Sequence, residues 1–151
     1  MLRLKDWLSR HLGGDTAESA AGSETALNLA VAALLVEILR ADYEISATER
    51  GQVVASLRGL LGLAPGACEE LLALAERQID QAHDLYQFTS EVNRTWSAGD
   101  KLRLVEQLWR VAQADSIVHK YEEHLIRRIA DLLHVSHREF IGAKLRSGGK
   151  V

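Results

Sequence analysis

The stretch Leu35-Val36-Glu37-Ile38-Leu39-Arg40-Ala41-Asp42-Tyr43-Glu44-Ile45-Ser46-Ala47-Thr48-Glu49 returns, in altered form, as Leu108-Trp109-Arg110-Val111-Ala112-Gln113-Ala114-Asp115-Ser116-Ile117-Val118-His119-Lys120-Tyr121-Glu122. Both read Leu-x-x-[Ile/Val]-x-x-Ala-Asp-x-x-[Ile/Val]-x-x-x-Glu, at an offset of 73 residues. Apolar residues at every third place line one face of a helix. An Asp then stands where that helix ends, and a Glu falls inside the start of the next. Further on, Leu57-x-x-Leu60-Leu61-Gly62-Leu63 pairs with Ile129-x-x-Leu132-Leu133-His134-Val135 at an offset of 72. Each half thus reads as helix, acidic corner, helix, short turn, helix. Two such halves, at about 27–82 and 101–145, are expected to pack about a pseudo-twofold axis around one shared core.

Outside the repeat the chain is also helical in pattern. Leu27, Ala30, Val31, Leu34, Leu35 and Ile38 form a stripe so broad that this helix is expected to be central and buried on all sides. Pro65 suits the first turn of a following helix, where its missing N–H costs nothing. Asp84 and Ser97 are expected caps for two further helices, and Ser46-x-x-Glu49 and Ser136-x-x-Glu139 are capping boxes. The 151 residues make one domain, 47% apolar and 26% charged, with one Pro, 5% aromatics and much Leu and Ala. That balance disfavours a sheet. The expected fold is all-α: a compact bundle of seven to eight helices with an internal duplication.

Domain organisation follows from composition. Residues 1–14 are expected to form an amphipathic helix with Trp7, residues 15–23 a flexible, small polar linker, residues 24–145 the helical domain, and residues 146–151 a disordered tail. Residues 1–12 are basic on one side, so peripheral docking on a membrane through them is one expectation. The longest uncharged apolar run, Leu29 to Val36, is far short of the ~20 residues that span a bilayer. No secretion pattern opens the chain, and the expected address is cytoplasmic. A single Cys, Cys68, excludes an internal disulfide and a thiolate metal cluster within the chain.

The net charge of −3 hides a split. Residues 1–100 hold 8 basic against 15 acidic residues, whereas residues 101–151 hold 10 against 6. The basic end has no aromatic stripe on which bases could stack, so nucleic-acid binding is not expected. A protein partner is expected.

The corners carry the only promising chemistry. In one reading, Asp42 and Asp115 hold loop backbone while Glu49 and Glu122 cap helices and complement their dipoles. In the other, the pseudo-twofold brings Asp42, Glu49, Asp115 and Glu122 together, and clustered carboxylates bind a hard divalent cation such as Ca²⁺ or Mg²⁺. His119 stands at the edge of the second corner, in the cap position that Ser46 fills in the first. Neither corner is an EF-hand, for both lack its internal Gly and closing Glu. No nucleophile elbow, Walker loop or dinucleotide fingerprint occurs, so no catalytic residue or organic cofactor is assigned. A small metal-assisted hydrolase built on the four carboxylates is the alternative to a non-enzymatic module.

The two Ala-Asp-x-x-[Ile/Val]-x-x-x-Glu elements, the stretches Leu108 to Asp115 and Glu122 to Leu133, and Asp84-Leu85-Tyr86-Gln87-Phe88-Thr89 resemble the tellurite-resistance TerB family over residues 24–143. The resemblance implies an all-helical protein of a stress-response setting. It also implies metal binding at the duplicated acidic positions, here Asp42, Glu49, Asp115 and Glu122. Tyr43 and Ser116 depart from the family's commoner Ala-Asp-Gly.

Overall fold

The computed structural model describes residues 18–41, 47–82, 84–114, 118 and 120–148, with side chains from residue 24 onward. It contains α1 (Glu18–Arg40), α2 (Ala47–Leu61), α3 (Pro65–Gln81), α4 (Tyr86–Thr95), α5 (Ala98–Gln113), α6 (Lys120–Leu132) and α7 (His137–Arg146). Among the described residues there is no strand, so the chain is all-α. Helix α1 begins at Glu18, and the backbone of 18–23 is helical where the polar composition suggests a linker. Ala20 and Ala21 are strong helix formers, which outweigh the neighbouring Gly22 and Ser23.

Local chemistry explains most helix ends. Pro65 sits at the start of α3. The Asp84 carboxylate accepts the Tyr86 N–H at 2.8 Å before α4, with Leu85 as the formal cap residue. Ser97 Oγ accepts the Asp100 N–H at 3.2 Å at the head of α5. At α7 the Ser136–Glu139 capping box is complete: Ser136 Oγ accepts the Glu139 N–H at 3.2 Å, and Glu139 Oε1 accepts the Ser136 N–H at 3.4 Å. The matching box at α2 involves Ser46, which lies outside the described residues.

Helices α2 and α6 end alike. Gly62 has φ 69° and His134 φ 63°, the only described residues before Gly148 in the left-handed region. The Gly62 N–H reaches the Arg58 carbonyl at 2.9 Å. His134 and Val135 donate to the carbonyls of Asp131 (3.0 Å) and Ala130 (2.9 Å), a Schellman arrangement. A β-carbon in this region costs about 1 kcal/mol, so Gly62→Ala should destabilise and His134→Gly should stabilise, each by about 0.5–1 kcal/mol. Urea denaturation of the two variants checks the opposite signs.

Helix α1 is the core. Leu27, Leu29 to Val36, Ile38 and Leu39 are all buried, and α1 packs against α2, α3, α4, α5 and α6. Helix α5 contributes Leu104, Val105, Leu108, Trp109, Val111 and Ala112 and packs on α1, α2, α6 and α7. Within the first three helices all pairs touch (α1–α2, α1–α3, α2–α3), and the same holds for α5, α6 and α7. Helix α4 wedges between α1 and α6. Its Asn93 side chain donates to the Leu132 carbonyl at 2.8 Å, satisfying one of the orphan groups at the end of α6.

Candidate functional site

Both corner glutamates lie in the first turn of their helices, Glu49 in α2 and Glu122 in α6. Each is 1% exposed. A carboxylate so far from water is tolerated only when other groups engage it, and both glutamates are so engaged. A carboxylate three residues into a helix is favoured in general by the N-terminal backbone N–H groups and the positive end of the dipole. The residue after each glutamate ties its helix to the third helix of the same half, with the signs reversed. Arg50 reaches Glu76 of α3 at 2.9 Å, and Glu123 receives Lys144 of α7 at 3.1 Å.

Asp42, Asp115 and His119, the remaining expected site residues, lie outside the described residues. Among the described residues no three His, Cys, Asp or Glu side chains gather closely enough to hold a metal. The edges of the two corners are described, however, and they line one cleft. An open cleft of about 230 Å³ is bordered by Arg40 and Ala41, which lead into the first corner, and by Tyr121, which precedes Glu122. Glu37 of α1 and Asp80 of α3 complete its polar border, and Arg40 bridges to Asp80 at 2.7 Å.

Glu37 is a residue that reasoning from the sequence did not single out. Its only signal is a charge inside the apolar run of α1. Burial raises its carboxyl above the ordinary 4.5, and the nearby Arg40 guanidinium offsets this in part. The folded state therefore holds the Glu37 proton more tightly than the unfolded chain. Its contribution to stability is full below pH 4.5 and is lost as pH rises through the raised value. Glu37→Gln removes that loss. The variant should gain on wild type as pH climbs from about 4 to 7, with the difference flat below the ordinary carboxylate range. Thermal midpoints across that window check it.

The described histidines give no constellation: His124, His134 and His137 are exposed and on separate turns, and His137 stacks on Phe140 at 5.8 Å between ring centroids. Cys68 is fully buried, its Sγ 3.7 Å from the Leu63 carbonyl. Burial pushes its thiol up against a smaller opposing effect of Arg58, which makes it a poor nucleophile. Among the described residues no helix is long and apolar enough to cross a membrane. The amphipathic stretch 1–14, on which membrane docking would depend, lies outside them.

No curated protein and no solved structure matches the chain. A protein-family comparison does find a match, and it spans α1 to α7. Residues 28–145 fit the family described as tellurite resistance protein TerB, and the chain belongs to that family.

Proposed function

We propose that this TerB-family chain, a tellurite-resistance-associated module, works by binding rather than by catalysis, and that its two acidic corners hold a divalent cation between them. The observation that carries the reading is the burial of Glu49 and Glu122 at the same place in two like-built halves. The shared cleft supports it further, because Arg40 and Ala41 on one side and Tyr121 on the other bring the corners to a common border. Asp42, Glu49, Asp115 and Glu122 would supply a set of oxygen donors only. That donor set suits Ca²⁺ or Mg²⁺ rather than a softer metal. The like junctions at Gly62 and His134, together with the parallel packing of α1–α2–α3 and α5–α6–α7, support descent of the halves from one duplicated unit. A cation so held would fix the corners and present one face of the bundle to a protein partner in a cytoplasmic stress response.

Calorimetric titration of Ca²⁺, Mg²⁺, Mn²⁺ and Zn²⁺ into wild type and Asp42→Asn/Asp115→Asn tests this reading. Heat is expected with a hard cation in wild type and not in the double variant. Absence of heat in wild type would sink it. Without metal, mutual repulsion of the carboxylates predicts that the double variant is more stable than wild type. A loss of stability would instead mark the corners as helix and loop caps alone.

A further inference from the structure

From Leu27 to Leu39 every side chain of α1 is buried except Glu37, which opens onto the cleft. A charge on a stretch of helix otherwise fully covered is costly, and here it is kept at the one place between Leu27 and Leu39 where α1 meets solvent. The cleft holds two carboxylates, Glu37 and Asp80, against one guanidinium, Arg40. Arg40 is committed to Asp80 at 2.7 Å, and Glu37 forms no ion pair among the described residues. The walls are of a different kind. Ile79 and Leu125 are half-buried and apolar, and Tyr121 is 65% exposed, an aromatic surface left in water beside a carboxylate.

We propose that this cleft receives a basic side chain, lysine or arginine, presented by a partner polypeptide. Its cationic head lies on Glu37, and its stem lies along Ile79, Leu125 and the Tyr121 ring. Charge complementarity selects that occupant. An anion is repelled by the surplus carboxylate, and a neutral apolar group would cover Glu37 without satisfying it. A long basic side chain needs both parts of the cleft, since its methylenes pack on apolar walls while its head stays on the polar border. The Tyr121 face adds a cation–π contact. A volume of about 230 Å³ accommodates one such side chain, and the open mouth lets the partner's main chain run past. None of these residues belongs to the divalent-cation set, so the two readings stand or fall separately.

The test is a titration of the full chain, followed by backbone amide NMR, with the acetylated and amidated pentapeptide Ala-Ala-Lys-Ala-Ala, its arginine counterpart and a norleucine control. Saturable shifts centred on Glu37, Ala41, Asp80 and Leu125 are expected with both basic peptides and not with norleucine. Glu37→Gln should weaken binding about tenfold, as loss of a charge-assisted hydrogen bond does. Tyr121→Ala should weaken it about threefold through loss of the cation–π contact. Both positions are at least partly exposed, and thermal midpoints no lower than that of wild type confirm that the variants fold. Absence of saturable shifts, equal response to norleucine, or full affinity in Glu37→Gln overturns the proposal.

Discussion

Trp109→Ala is expected to lower the stability of the fold by about 3–5 kcal/mol, read as a fall in the urea midpoint at unchanged slope. Trp109 is the largest fully buried side chain among the described residues. It sits in α5 with its ring 5.2 Å from that of Phe140 in α7, and the Lys144 ammonium lies 5.1 Å above it. Lys144 also holds Glu123 of α6 at 3.1 Å. Removal of the indole therefore leaves a cavity where three helices meet and withdraws the surface on which Lys144 rests. Trp109→Phe supplies the contrast. The indole Nε1 is buried and has no hydrogen-bond partner among the described residues, and an orphan of that kind costs about 1–3 kcal/mol. Phenylalanine gives up some volume but removes the orphan, so its net cost should be about 1 kcal/mol or less. Equal losses in the two variants would show that aromatic packing is not what holds α5, α6 and α7 together.

The second large effect is thermodynamic linkage to the cation. A ligand that binds only the folded chain stabilises it by about 2.7 kcal/mol at one hundred times its dissociation constant. For a chain of this size that corresponds to a rise in melting temperature of roughly 5–10 °C. Saturating Ca²⁺ or Mg²⁺ should produce it in wild type, and Asp42→Asn/Asp115→Asn should abolish it. A rise of the same size in the double variant would locate the cation elsewhere. No rise in either would leave the corners as caps. Ionic strength must be matched with a monovalent salt, because screening of the acidic first hundred residues also alters stability.

The helical class was legible because its signals are local. Three-residue spacing from Leu27 to Ile38, Pro65 at a helix start, and Ser136 three residues before Glu139 each act within one or two turns, and the structure places each as its chemistry dictates. The start of α1 at Glu18 was less legible, since a mixture of Ala, Gly and Ser has no sharp stop or start signal. The turn at His134 could be foreseen only by laying it over Gly62, because histidine by itself does not announce a left-handed backbone. Of the site, burial of Glu49 and Glu122 was implicit in their register with the apolar faces of α2 and α6. The cleft was not legible at all. Glu37, Asp80 and Tyr121 lie on three helices separated by long stretches of chain, and only tertiary packing makes them neighbours.

The envelopment of α1 bears on how the molecule can be divided. A helix apolar all round needs covering on every side, and here the cover comes from α2 and α3, which follow it directly, and from α4, α5 and α6 in the later part of the chain. The first half alone would leave the α5- and α6-facing sides of α1 in water, and the second half alone would lack its central rod. On this packing neither part of the chain is expected to fold alone. The core can close only once α5 and α6 are in place, and until then the most apolar segment is covered by α2, α3 and α4 alone.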